Sequence, residues 1–103
     1  MHNELSGTTL RLNFEGDLLS TNVESLRKDI LKSLDDAEAC QSVIADLAKS
    51  QQVDSKGLNL LLAIYRETQH RKIGFRVENS SEDVRRIMTL LNLNERFGIK
   101  ATA

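Results

Sequence analysis

Apolar residues in this chain recur alternately with the spacing of β-strands and the spacing of α-helices, and this alternation constrains the fold most strongly. Strand patterns are expected at 8–14, 42–46 and 74–77, with Leu93, Phe97 and Ile99 in a last short strand, and helical spacing covers 23–34, 58–65 and 84–91. The order is strand, helix, strand, helix, strand, helix, strand. It predicts an α/β fold with a mixed, mostly parallel sheet of four to five strands and amphipathic helices packed on it.

Signals at the ends of these segments refine the prediction. Residues 1–7 are polar and are interpreted as either a short edge strand or a frayed end. Capping-box spacing occurs at Thr21 with Glu24 and at Ser80 with Asp83, and Ser20 and Asn22 are alternative caps for the first helix. In the second helix the expected core stripe is Leu58, Leu61, Leu62 and Tyr65, widened by Leu60 and Ile64.

The composition limits what the chain can bind. A length of 103 residues suits one domain, residues 1–103, and 40% hydrophobic with 28% charged residues is an ordinary globular composition. Lysine and arginine number 14 against 15 acidic residues, so there is no basic footprint for nucleic acid. One Tyr, three Phe and no Trp supply no platform on which bases could stack.

Single residues give no sign of a disulfide, a metal site or a membrane span. Cys40 is the only cysteine and is expected to be a partly buried, inert thiol. His70 is expected at the surface, and the acidic run 35–38 reads as a solvated connector without the ligand set of a metal site. Neither a secretory signal nor an apolar run of membrane-spanning length is present, which predicts a reducing cytosolic location, no membrane partner and no cofactor.

The polar turn before the second helix carries the most chemistry. Asp54 and Ser55 lie where that helix begins, so Ser55 is at or beside its N-cap. The unpaired N–H groups and the positive dipole end of a first turn also favour a phosphate. Ser55 is therefore either a cap only or a phosphate acceptor, and Asp54 either caps the helix or orients the Ser55 hydroxyl.

The wider pattern resembles the STAS domain, and especially the bacterial anti-sigma factor antagonists. An apolar strand ending in Asp46-Leu47 is followed by Val53 and then by Asp54-Ser55-Lys56-Gly57-Leu58, similar to the family's Asp-Ser-Ser/Thr-Gly-Leu-Gly. Gly16-Asp17-Leu18 looks like the family's Gly-acid-Leu, and Leu90-Leu91-Asn92-Leu93 like its closing turn. Lys56 and Asn59 stand where Ser or Thr and Gly are usual, and Leu19 replaces a frequent aspartate.

The resemblance implies a phosphorylation-switched binding protein. In that reading the unmodified chain binds an anti-sigma factor that is also a serine kinase of the histidine-kinase-like ATPase fold, and thereby releases the kinase's target. Phosphorylation at Ser55 ends binding, and a metal-dependent serine phosphatase restores it. The expected partner-facing residues are Asp17, Ser20, Asp54, Ser55, Lys56, Gly57, Leu58 and Asn59. The resemblance also implies an N-terminal edge strand.

An enzyme is the least favoured alternative. Ser55 has no recognisable base in a nucleophile motif, and the chain has no glycine-rich phosphate loop with a lysine, so no catalytic residue is assigned. A constitutive STAS scaffold, or a regulatory subunit of a transporter or signalling assembly, stays open. Lys56 is read as a neutraliser of phosphate, a partner contact or an ordinary solvated lysine. Because Asp17 and Ser55 both follow strands, we expect them at one edge of the sheet.

Overall fold

The computed structural model describes residues 2–93, which form four strands and three helices. Their order is β1 His2–Ser6, β2 Thr9–Asn13, α1 Val23–Asp36, β3 Ser42–Asp46, α2 Ser55–His70, β4 Gly74–Glu78 and α3 Glu82–Leu90. The predicted strands and helices are present, with ends that differ by a few residues. Phe97 and Ile99, expected in a last strand, lie outside the described residues.

The four strands form one sheet in the order β1-β2-β3-β4. β1 is antiparallel to β2, whereas β2 with β3 and β3 with β4 are parallel pairs. The prediction of a mixed, mostly parallel α/β sheet is therefore confirmed. The polar N-terminal segment is the edge strand β1, joined to β2 through a hairpin turn in which Gly7 has φ 60°.

One face of the sheet carries the core. Alternate residues of the strands meet apolar side chains from all three helices, because side chains of a strand point alternately to its two faces. These strand residues are Leu10, Leu12, Val43, Ala45 and Val77. Cys40 is buried among the core residues, more deeply than the predicted partial burial, and His70 is exposed, as expected.

The opposite face carries a charged network. Arg11 on β2 bonds to Asp46 on β3 at 2.8 Å and to Glu78 on β4 at 3.0 Å. Burial alone would raise the pKa of Asp46, but hydrogen bonds from the Ala48 N–H and Asn79, together with the Arg11 guanidinium, hold that pKa below its usual value. Asp46 thus anchors the end of β3 from which the chain turns toward α2.

The helix starts and the α2 stripe correct the sequence expectations. α1 begins after Asn22, one of the three predicted caps, and not after Thr21 of the capping box, whereas α3 is capped by the hydroxyl of Ser81 and not by Ser80. In α2, Leu60, Leu61 and Ile64 are buried, whereas Leu58, Leu62 and Tyr65 are only half-buried. The buried stripe is rotated because α2 packs against α1 as well as against the sheet. Leu60, expected only to widen the stripe, is itself a buried core residue.

None of the helices within residues 2–93 is both long enough and apolar enough to cross a membrane.

Candidate functional site

The helix α2 begins at an aspartate cap. Asp54 has an extended backbone, and its Oδ1 accepts a hydrogen bond from the N–H of Gly57 at 2.8 Å. This is the bond that an N-cap side chain makes to the third residue of a helix. Ser55 is consequently the first helical residue, and its side chain is exposed. The cap leaves the Ser55 hydroxyl outside the hydrogen bonding that starts the helix.

The second carboxylate oxygen of Asp54 holds the preceding loop. Oδ2 accepts the N–H of Ser20 at 2.7 Å, and the N–H of Asp54 donates to the carbonyl of Leu18 at 3.1 Å. The hydrogen bond from Gly57, followed by the one from Ser20, lowers the pKa of Asp54 below its usual value. Asp54 is therefore an anionic link between two loops, and among the described hydrogen bonds none joins its carboxylate to the Ser55 hydroxyl.

Gly57 permits the two loops to approach. A Cβ added at Gly57 would lie 2.1 Å from the carbonyl oxygen of Leu18. No side chain larger than hydrogen fits at that distance unless the backbone moves. The glycine of the motif is thus required by the contact between the first turn of α2 and the loop after β2.

Asp17 is a second tether between the same loops. Its Oδ1 accepts the N–H groups of Gln51 and Gln52 at 2.8 and 3.1 Å. Beside it, Leu18 forms a parallel bridge with Val53. The structure therefore brings Asp17 and Ser55 to one edge of the sheet, as predicted. The Asp17 carboxylate is occupied by backbone groups and is only half-exposed.

Sequence reasoning missed the roles of Asn22 and Ser50 in this arrangement. The Asn22 amide donates to the carbonyl of Asp17 at 2.8 Å and accepts the N–H of Leu19 at 3.0 Å. The buried Ser50 donates its hydroxyl to the carbonyl of Gly16 at 2.6 Å. A polar residue just before a helix was the available signal for Asn22. For Ser50 no local pattern distinguishes a buried serine from a loop serine.

The predicted partner-facing residues divide into two groups. Ser20, Ser55, Lys56 and Asn59 are exposed, whereas Asp17, Asp54 and Leu58 are half-buried and Gly57 is buried. The exposed group forms what we call the Ser55 rim. The other group supports this rim. The carboxylates of Asp17 and Asp54 accept backbone N–H groups, and Gly57 packs closely against Leu18. Lys56 and Asn59 also border a cleft of about 190 Å³ between α1 and α2.

The chemistry available at the Ser55 rim is that of an accessible hydroxyl at the positive end of a helix. The first turn of α2 contains no acidic residue, and its Lys56 offsets the anionic Asp54 cap beside Ser55. Within residues 2–93 there is no group of three His, Cys, Asp or Glu side chains that could hold a metal ion.

Comparisons with known proteins match the family and the fold of this chain. The family model for the STAS domain matches residues 2–103. The structure of the anti-sigma factor antagonist SpoIIAA in its unphosphorylated form aligns with TM-score 0.79 and 24% identity, covering 98% of this chain and 87% of that one. The phosphorylated form of SpoIIAA, a Bacillus cell fate determinant, aligns with TM-score 0.73 and 22% identity, covering 98% and 90%.

Two further structures share the fold. A candidate anti-sigma factor antagonist from Thermotoga maritima aligns with TM-score 0.85 and 19% identity, covering 98% of this chain and 86% of that one. A sulfate transporter family protein from Wolinella succinogenes aligns with TM-score 0.76 and 13% identity, covering 92% and 75%. No curated protein matches the sequence significantly.

Proposed function

Since this chain belongs to the STAS domain family, we propose that it is an anti-sigma factor antagonist switched by phosphorylation of Ser55. The observation that carries the proposal is the exposed hydroxyl of Ser55 at the first position of α2, beside a cap that Asp54 supplies independently. The hydroxyl can therefore be modified without dismantling the start of the helix. SpoIIAA, which has been solved in both unphosphorylated and phosphorylated forms, supports this proposal.

The partner in this proposal is an anti-sigma factor that is also a serine kinase of the histidine-kinase-like ATPase fold. The unmodified Ser55 rim binds this kinase. The protein that the kinase had held is thereby released to act in transcription. The kinase supplies ATP and magnesium, and the Ser55 hydroxyl attacks the γ-phosphorus while ADP leaves. A metal-dependent serine phosphatase hydrolyses the phosphoserine and restores binding. This chain contributes the acceptor and no catalytic group, and the cycle takes place in the cytoplasm.

Charge explains why phosphate would release the partner. The formal net charge of the chain is −1, and a phosphoserine adds about 1.5 to 2 negative charges near neutral pH. At a helix N-terminus that charge is tolerated, so the fold persists. In an interface that fits a neutral hydroxyl, the phosphate is desolvated and opposes any acidic or nucleotide groups of the partner. About 1.4 kcal/mol of such a penalty weakens binding tenfold.

A second candidate function is a constitutive STAS scaffold in a transporter or signalling assembly. The fold shared with the Wolinella succinogenes sulfate transporter family protein favours it. In this case Ser55 is an ordinary first-turn serine, and Asp54 and Gly57 have structural roles only, in starting α2 and joining it to the loop after β2. The two candidates differ in one measurable property, which is transfer of phosphate to Ser55.

The test is the intact mass of the protein after incubation with a serine kinase of this class from the same genome and Mg-ATP. We expect a gain of about 80 Da, the mass that phosphorylation adds, and its absence in Ser55→Ala. Ser81→Ala is the matched control, because Ser81 also lies at a helix start but its hydroxyl caps α3. If the kinase phosphorylates another antagonist and leaves this chain unmodified, the scaffold replaces the switch.

A further inference from the structure

Leu19 has an apolar side chain that lies outside the core. The residue is half-buried, but it does not pack against the core cluster. Within residues 2–93 the other half-buried leucine, isoleucine, valine and aromatic side chains all do so, and they are Leu26, Val53, Leu58, Leu62, Tyr65, Ile73 and Phe75. The partial burial of Leu19 therefore comes from the surface loops around it, and the side chain is not needed to hold the core together.

The backbone of Leu19 is fixed by its own hydrogen bonds. Its N–H donates to the side-chain oxygen of Asn22 at 3.0 Å, and its carbonyl accepts the N–H groups of Asn22 and Val23 at 2.9 and 3.1 Å. Both backbone polar groups of the residue are thus occupied within the chain. A side chain on a backbone held in this way loses little conformational freedom when a partner covers it, which suits a binding contact.

Leu19 is held beside Ser55, because its two neighbours in the chain bond to Asp54. The Leu18 carbonyl accepts the N–H of Asp54 at 3.1 Å, and Ser20 donates its N–H to the Asp54 carboxylate at 2.7 Å. The buried Leu18 also forms a parallel bridge with the residue before Asp54. Since successive residues of paired extended segments face opposite sides, Leu19 and Asp54 face outward together. The Leu19 side chain therefore belongs to the surface around Ser55.

We propose that Leu19 is an apolar contact for the kinase that acts on Ser55, and that the kinase covers it with an apolar surface. This inference rests on the proposed function. A kinase that reaches the Ser55 hydroxyl must cover the residues next to it, and Leu19 is held there on a fixed loop. Ser20 and Thr21, which follow it, are exposed and polar, so an apolar contact is bordered by polar groups, as at the centre of protein–protein interfaces.

The same contact would select among kinases. A kinase that places charged or polar groups opposite Leu19 would lose their hydration without gaining hydrogen bonds, and would bind more weakly. Leu19 is thus a residue that determines specificity through binding, and it takes no part in the transfer of phosphate. Its removal should change how tightly the protein binds to the kinase and leave the rate of the bound complex unchanged.

The experiment is steady-state phosphorylation of Ser55 by that kinase, with the unsubstituted protein and three variants as substrates. Leu19→Ala should raise KM about fivefold or more with kcat unchanged, the pattern of a lost binding contact. Leu19→Met keeps an apolar side chain of similar volume and should hold KM within about twofold. Leu90→Ala is the matched control and should leave KM unchanged, because Leu90 is 76% exposed at the far end of α3 from the edge of the sheet that carries Ser55.

The outcomes distinguish this inference from the proposed function. If Ser55 is phosphorylated and Leu19→Ala has the KM of the unsubstituted protein, Leu19 is an ordinary surface leucine and the proposed function stands. A lower kcat with unchanged KM in Leu19→Ala would mean that Leu19 only supports the loop, which overturns the inference. So would a KM for Leu19→Met or Leu90→Ala that rises as much as that for Leu19→Ala. If no kinase of this class phosphorylates Ser55, both proposals fall.

Discussion

The starts of α2 and α3 have the same capping geometry, but only the start of α2 leaves a serine hydroxyl available for modification. Each cap side chain accepts the N–H of the third helical residue, Asp54 from Gly57 and Ser81 from Val84. In α3 the serine itself is the cap, and its hydroxyl also donates to the carbonyl of Gln51. In α2 an aspartate is the cap, so the neighbouring serine is left available.

The charges of the two first turns also favour modification at α2 rather than at α3. α3 begins with Glu82 and Asp83, which already complement its dipole and would repel a phosphate. The first turn of α2 has no acid and contains Lys56. A helix N-terminus becomes a usable modification site when its cap does not require the hydroxyl and its first turn is not already negative. α2 meets both conditions and α3 meets neither.

The largest loss of stability is expected at Gly57, the third residue of α2. The equivalent residue of α3 is the buried Val84. Gly57→Ala should lower the free energy of unfolding by about 2 kcal/mol or more, because the added Cβ would meet the Leu18 carbonyl. Denaturant unfolding measures it. Gly16→Ala is the control, since a Cβ there meets nothing within 4 Å, and a comparable loss in both variants would contradict the close approach.

Removing each cap in turn should show which of the two caps contributes more to the stability of the fold. Ser81→Ala is expected to cost about 1 kcal/mol, the usual value for a lost N-cap. Asp54→Ala should cost more, because it also abolishes the hydrogen bond to Ser20 that holds the loop before α1. Thermal unfolding of the two variants, recorded side by side, makes the comparison. A smaller loss for Asp54→Ala would mean that this tether contributes little.

Much of this comparison could be predicted from the sequence, but not all of it. Local patterns placed Asp54 and Ser55 at a helix start, since capping depends on residues close in the chain. The same patterns chose Ser80 over Ser81 because Ser80 has capping-box spacing to Asp83. The two adjacent serines have equal capping chemistry, and tertiary packing selects Ser81. The contact of Gly57 with Leu18 joins residues far apart in sequence, so composition and spacing contain no signal for its distance.

Acid should weaken the cap of α2 and leave the cap of α3 in place. The pKa of Asp54 is lowered in the folded protein, so its stabilising contribution is present above the ordinary value of 3.8 and is lost as the pH falls through the lowered value. Ser81 does not titrate. We expect hydrogen exchange of the Gly57 amide to lose protection on acidification before that of Val84. In Asp54→Asn this difference should disappear, and its persistence would assign the titration to another group.

The smallest change in stability is expected at Lys56. Lys56→Ser should alter the free energy of unfolding by no more than about 0.5 kcal/mol, because the side chain is exposed. The same substitution should alter the affinity for the kinase, since it removes a cation beside Ser55. Titration calorimetry measures that affinity, and an unchanged Kd would make Lys56 an ordinary solvated lysine. Asp83→Ser on α3, at the equivalent position, is the control and should leave Kd unchanged.

The hairpin between β1 and β2 has a practical consequence for labelling this protein. Its turn at Gly7 lies at the end of β2 opposite to the Ser55 rim, and its surroundings are open. The loops at the rim are fixed by Asp17 and Asp54, so added residues there would break their hydrogen bonds, whereas an exposed turn accepts insertions more readily. A fluorescent reporter placed after Gly7 would travel with the domain and leave the surface proposed for the kinase uncovered.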